Sequence, residues 1–488
     1  MGRLVVDSRS LLPFVLRGFW FADSYWLLVD IFNAIRTSRP VRDAWRDEQQ
    51  EHQGTLRDLR LGGRRSAPGR VSPSIVGTLQ KTGDSAGRSN LRSFTMGVHI
   101  GRNRTDTAPK RASESDAEFF ERIAGPFWDQ VRDVINEWWS HLPPDAQPGL
   151  RSRLRDRNSD ANVFSALWEL YVHEMLRGSG WTVEIEPQIG TEGKCPDFLV
   201  TSENEQFIVE AIWTAEDLGT TGSSSLPPQV ADAIDLVPSP NFYVAYKVDG
   251  VGSTTPQQKR LKYELTRWLA SLDPDQVTAE YEQKVPLPRY SWQEAGWRLS
   301  FEAIPRSPGR RGDPANRTIG IHPSVWVADD SDRVLKAVRK KGRKYGDLAL
   351  PFIVAVGNSA TFPEDEDTES ALYGTSVEYL RRTGSTFGRN RDGYWTAVRD
   401  HAHSRVSGVL TVDNPAPWTW ARKVPVLWQS PAPDSLPAPV LPTWETAKLV
   451  DIHIERQPAT RPIHTALGLP EHWPIGDAFP RRRPSAES

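Results

Sequence analysis

Apolar side chains recur at helical spacing from about Asp116 onward. Phe119, Phe120, Ile123, Phe127, Val131, Val134, Ile135 and Trp138 repeat until the HLPPD breaker, which predicts one packing helix. A second helix is expected from Asp160, a candidate N-cap, through Phe164, Leu167, Trp168, Tyr171 and Met175 to Gly178 and Gly180. Three strand-like runs follow: WTVEIEP from Trp181, DFLVT from Asp197 and FIVEAIW from Phe207. NFYVAYKV from Asn241, a helix over 257–272, WRLSFEAI from Trp297 and TIGIHPSVWV from Thr318 read as an insertion. A helix over 331–345 then leads into PFIVAVG from Pro351, followed by a helix over 370–382 and strands around Val406 and Val424.

The same pattern divides the chain. Residues 1–115 are expected to be basic and largely disordered, since 37–115 is rich in Arg, Ser, Gly and Asp with few periodic apolar positions and burial there cannot offset ordering entropy. Residues 116–213 carry helices and the first part of a core, 214–330 the insertion, and 331–430 the second part of the core with a sheet extension. Residues 431–488 read as a proline-rich, loosely structured tail. Met96 is the only methionine between Met1 and Met175, so a start downstream of residue 1 is an open alternative for 1–95. Charged residues interrupt the apolar stretch over 11–35 before a membrane span could accumulate, and no secretory signal is expected.

Composition narrows the chemistry. A single cysteine, Cys195, excludes an intramolecular disulfide and a thiolate-rich zinc site, and fits a reducing cytoplasm. The net charge of −2 hides an asymmetry: residues 1–115 hold 19 basic against 11 acidic residues, the remainder 41 against 51. Positive potential in the acidic body must therefore be local to bind a polyanion. No P-loop or dinucleotide fingerprint occurs.

The polar SENE between DFLVT and FIVEAIW supplies a hairpin turn. Pairing Thr201 with Gln206 puts Asp197 opposite Glu210, and facing carboxylates at Cβ separations of about 5 Å repel unless a cation or proton lies between them. Oxygen ligands so placed suit Mg²⁺, with Mn²⁺ as a substitute. Glu169, in the helical row Ser165, Glu169, Val172 and Leu176, is positioned to approach the same place. An ion held this way activates water for phosphodiester hydrolysis.

Glu169 on a helix, Pro196-Asp197, and Glu210-Ala211-Ile212 together resemble the PD-(D/E)XK nuclease superfamily. The resemblance covers roughly 160–213 and 331–357, and Lys341 with Tyr345 resembles the Q/K-x-x-x-Y pattern of its exonuclease-like branches. It implies an α/β fold with a mixed central sheet and an αβββαβ core, here with a β-containing insertion and C-terminal additions. It also implies a metal at Asp197, Glu210 and Glu169, and Mg²⁺-dependent cleavage of nucleic acid, DNA before RNA, by analogy in restriction or defence. The superfamily carries a lysine two residues after the second acid, and this chain has Ile212 there. Lys341 and Lys344 are the preferred replacements; Lys194 and Lys247 are alternatives. The missing lysine leaves a second reading open, a noncatalytic nucleic-acid-binding or protein-interaction module.

Around this core, Lys340 and Arg343 in the run from Lys336 to Lys344, and Arg389 and Arg391 near the loop TGSTFGRNRDG, are candidate phosphate contacts. Tyr394 and Trp395 are candidate stacking residues, although with 19 tryptophans most must simply pack. His173, one turn beyond Glu169, could join the site. Cys195 lacks a His-acid signature and reads as an inert thiol, and His401 and His403 read as exposed rather than as ligands.

Overall fold

A computed structural model describes residues 97–98, 103–189, 194–215, 226–312, 318–319, 330–345, 349–359, 365–381, 384–396 and 405–479. The expected disorder of 1–96, most of the strand from Thr318, and His401 with His403 lie outside the described residues. Helices α1 (Asp116–Arg122), α2 (Pro126–Ser140), α3 (Gln147–Leu154) and α4 (Asp160–Gly178) lead into strands β1 (Thr182–Ile185), β2 (Phe198–Thr201) and β3 (Gln206–Ala215). The helix expected from Asp116 is thus two. Gly125, at φ 124°, takes a conformation open to glycine, and Pro126 starts a new helix where its missing N–H costs nothing. Ser115 and Glu118 close α1 with a capping box. The N-cap of α4 is Ser159 rather than Asp160. The Asp160 carboxylate instead accepts from the Asp116 N–H at 2.7 Å and from Lys110 at 3.1 Å. Ala112 N–H is held by Asp232 at 2.6 Å, so order begins ahead of the expected boundary at 116.

The insertion holds α5 (Pro228–Asp235), β4 (Phe242–Gly250), α6 (Gln258–Ala270), α7 (Pro274–Glu282), β5 (Arg289–Glu294) and β6 (Trp297–Pro305). Its strands form a separate antiparallel sheet, order β4-β6-β5, over its own core of Phe242, Val244, Leu261, Trp292 and Phe301. The chain then returns through α8 (Asp330–Gly342), β7 (Phe352–Ser359), α9 (Asp365–Tyr373), β8 (Ser376–Arg381), β9 (Gly384–Arg389), β10 (Gly408–Asp413) and β11 (Val426–Gln429). It finishes with β12 (Glu445–Val450), β13 (His453–Gln457) and α10 (Ile463–Ala466).

Among the described residues one eight-stranded mixed sheet organises the α/β fold, in the order β1-β2-β3-β7-β10-β11-β12-β13. β3, β7 and β10 run parallel at its centre, where near-continuous apolar runs such as PFIVAVG belong. Alternation sends Phe198, Val209, Ala211, Ile353 and Ala355 to the face covered by α4. Ile208, Val354, Val356 and Val409 go to the opposite face, beneath Val334 and Val338 of α8. Trp168 anchors α4, wholly buried with its indole N–H on the Ala355 carbonyl at 3.1 Å.

Two expectations fail near the C-terminus. The helix expected over 370–382 ends at Tyr373, because Gly374, at φ 86°, turns the chain into the β8-β9 hairpin. The segment past Pro431 is not a loose tail: β12 pairs with β11, β13 closes that edge, and Trp444 and Ile463 enter the main core. The prolines between β11 and β12 hide the alternation of these short strands, and it is pairing of β12 with β11, and of β13 with β12, that makes them part of the sheet.

The end of α4 gives a stability test whose sign separates two effects. A Cβ on Gly178 would sit 1.6 Å from the Ala466 carbonyl oxygen of α10. Helix propensity alone makes Gly178→Ala stabilising by about 1 kcal/mol. The backbone clash reverses this, and urea unfolding is expected to show a loss of about 1–3 kcal/mol. A gain would show that α10 does not pack there.

Candidate active site

The β2-β3 hairpin has the expected register, Thr201 with Gln206 and Phe198 with Val209, so the next pair outward is Asp197 with Glu210. Phe198 and Val209 face α4, so by alternation Asp197 and Glu210 turn to the α8 face. The two residues are tied together: Asp197 N–H donates to Glu210 Oε2 at 3.2 Å, and Ala211 N–H donates to Asp197 Oδ2 at 2.7 Å. Asp197 Oδ1 has no hydrogen-bond partner among the described residues.

Glu210 is fully buried, and a buried carboxylate needs compensation. The end of α8 and the turn after it supply that compensation. Lys341 Nζ lies 2.5 Å and Lys344 Nζ 3.0 Å from Glu210 Oε1. The Tyr345 hydroxyl donates to Oε2 at 2.5 Å and lies 3.0 Å from the Cys195 carbonyl. Lys341 at the end of α8 and Lys344 in the turn after it, the two lysines preferred from the sequence, therefore both meet Glu210. Tyr345, four residues beyond Lys341, joins them. Ile212, where the superfamily pattern has its lysine, packs against the apolar cluster beneath α8. A lysine there would displace that packing, while the helix amines reach Glu210 directly.

The electrostatics follow from this crowding. Burial pushes the Asp197 carboxyl up to about 7, and the charges of Glu210 and Glu169 add to the rise; Lys341 and the Ala211 N–H oppose it. Burial, and then its bond to Glu210, drive the Tyr345 hydroxyl far above its ordinary value, so it remains a protonated donor.

Glu169 is placed differently from the expectation. It lies on α4, which covers the face opposite α8, and both its oxygens are held by Arg153 at 2.5 Å. That bidentate pair is the main reason the Arg153 guanidinium is raised, with the fields of Asp197 and Glu186 adding to it. Glu169 thus acts on Asp197 through its field, and each of its oxygens is paired with Arg153. Arg153 is the site residue missed in the sequence. Its only signal was the alternating run Arg151, Arg153, Arg155 and Arg157 in a segment with little apolar periodicity.

The other candidates separate clearly. Lys247 pairs with Asp249 at 3.0 Å in the sheet of the insertion, and His173 is buried against Glu174 at 2.8 Å. Arg389 is a structural residue rather than a phosphate contact: its guanidinium pairs with Glu369 and donates to the carbonyls of Gly374 and Ile452, each at 3.1 Å. Tyr394 is wholly buried and Trp395 donates to the Val406 carbonyl at 3.2 Å, so both pack rather than present a free ring. Lys340, Arg343 and Arg391 are exposed and form no ion pair among the described residues. Cys195 is half-buried and accepts from the Gln188 side chain at 3.0 Å.

Among the described residues no three His, Cys, Asp or Glu side chains converge as a metal cage, and no helix is long and apolar enough to cross a membrane. Compared with known proteins, the chain matches no family model, no curated sequence and no solved structure.

Proposed function

We propose that the chain is a PD-(D/E)XK-like, Mg²⁺-dependent nuclease that hydrolyses phosphodiester bonds, in DNA before RNA. The observation that carries this reading is the meeting of Asp197, Glu210, Lys341 and Lys344 at one point of the sheet, with the amines supplied by α8 and the turn after it in place of a strand lysine. The residues fit a magnesium ion, because Mg²⁺ is commonly held through one or two carboxylates completed by water and substrate phosphates. Asp197 would hold it through its unpartnered Oδ1, and Glu210 would join only by exchanging a lysine at Oε1 for the ion. A bound ion supplies charge neutralisation at the phosphate and a water of lowered pKa. The chain itself positions the two acids through the hairpin, would offer the ammonium groups of Lys341 and Lys344 to developing phosphate charge, and keeps Tyr345 protonated as a fixed donor.

Full burial of Glu210, with both oxygens already taken, favours a second reading, a nucleic-acid-binding module without hydrolysis. Cleavage of labelled duplex and single strands with Mg²⁺, Mn²⁺ or EDTA separates the two. Binding without cleavage under every metal condition selects the module.

The nuclease reading carries a pH dependence. Asp197 must be ionised to hold a cation, and with its pKa at about 7 a proton competes with Mg²⁺ below neutrality. At limiting Mg²⁺ the cleavage rate is expected to fall about tenfold from about pH 8 to about pH 6, and saturating Mg²⁺ should flatten the profile. A rate independent of pH at limiting metal would remove Asp197 from the metal site.

A further inference from the structure

The end of α3 and the turn into α4 carry arginine at every second position, and the structure gathers three of them around an open surface hollow of about 510 Å³. Arg153, Arg155 and Arg157 line it with Ser152, Asn158 and Asn162. Arg153 is committed to Glu169, whereas Arg155 and Arg157 form no ion pair or side-chain hydrogen bond among the described residues. The one acid in the lining, Asp156, is turned to its own loop, accepting from Asn158 N–H and from the Asn162 side-chain amide, each at 2.8 Å. Two unpartnered guanidinium groups, with Ser152 and Asn158 in the same lining, make an anion-accepting hollow in an otherwise acidic body.

The position of the hollow says which anion. Its wall includes Arg153, which is paired with Glu169 and lies in the field of Asp197. Lys341 and Lys344 reach the acids from the α8 face, and the arginines belong to the side covered by α4. A polyanion passing the end of β2 at Asp197 would meet the lysines on one side and the arginines on the other.

We infer that this hollow is a second phosphate subsite, in which Arg155 and Arg157 grip a backbone phosphate of the nucleic acid flanking the one at Asp197. This rests on the nuclease-like reading and adds to it the path of the strand. Phosphate-contacting arginines set register and affinity without reading bases. Each such contact contributes about 0.9 to the slope of log affinity against log salt on a duplex.

The test is a salt titration of binding by fluorescence anisotropy, using a labelled DNA duplex of about 20 base pairs from about 50 to 200 mM NaCl. The variants are Arg155→Ala/Arg157→Ala and, as control, Lys259→Ala/Lys262→Ala on the exposed side of α6. The arginine pair is expected to lower affinity about tenfold or more at low salt and to make the slope shallower by nearly two, while the control moves neither. Unchanged circular dichroism melting confirms that both variants fold. Wild-type affinity and an unaltered slope in the arginine variant overturn the subsite and leave the nuclease-like reading standing. No binding by the wild type at low salt overturns both. Displacement of the duplex by inorganic phosphate below about 1 mM assigns the hollow to free phosphate and overturns the polymer assignment.

Discussion

Asparagine in place of Asp197 is expected to lower Mg²⁺-dependent cleavage by about 10³ or more while making the fold more stable at neutral pH. The two effects have one origin. Asp197 is buried, sits beside Glu210 and lies in the field of Glu169, so its charged form is disfavoured unless a cation is present. The folded-state pKa of about 7 lies above the unfolded value near 3.8. The protonated form thus contributes stability that is fully present below about pH 4 and is lost as pH rises through about 7. The asparagine amide mimics the protonated carboxyl and keeps an acceptor for the Ala211 N–H. Asp197→Asn should therefore gain on the order of 2 kcal/mol over the parent at about pH 8 and nothing at about pH 3. Thermal melts across this range check the sign. A variant that is both inactive and less stable at the alkaline end would show Asp197 to be a structural acid rather than one held in readiness for a cation.

The second large effect concerns Glu210. Replacing Lys341 and Lys344 together by methionine keeps much of the apolar stem and removes both ammonium groups from a carboxylate with no solvent exposure. Stripping the partners from a buried ion costs about 3–5 kcal/mol, far more than loss of an exposed pair. Urea denaturation is expected to show that loss. Adding Glu210→Gln in the same background should recover most of it, because an amide needs no counter-charge and Tyr345 still reaches its oxygen. Lys341→Met and Lys344→Met taken singly should each cost less, since the remaining amine and the Tyr345 hydroxyl stay in place. If the triple variant is no more stable than the double, the charge of Glu210 is not what the lysines compensate.

The parts of the site that were legible in the sequence are those fixed by short-range rules. A polar turn between two alternating runs determines the β2-β3 register, and with it the meeting of Asp197 and Glu210. Helical periodicity marked α4 and α8, and Lys341 at the end of α8 and Lys344 in the turn after it reach one carboxylate. The break at Gly125-Pro126 was also written in local chemistry, although the apolar periodicity running through it masked the break. Arg153 was not legible because α3 buries only Leu150 and Leu154 and so shows almost no amphipathic pattern.

By itself the sequence determined the α/β alternation, the insertion with its own strands, and the pairing of the two acids, because each follows from propensity, period and turn chemistry within a few residues. Only the tertiary structure decided that Glu169 belongs to the α4 face and to Arg153, that β12 and β13 extend the main sheet, and that Arg389 holds the β9 region rather than a phosphate. Those outcomes depend on which side of a sheet a helix covers and which distant segments meet, such as Glu210 and Lys341, 131 residues apart. Such contacts form only when whole elements bury their apolar faces together, and no local pattern encodes the partner.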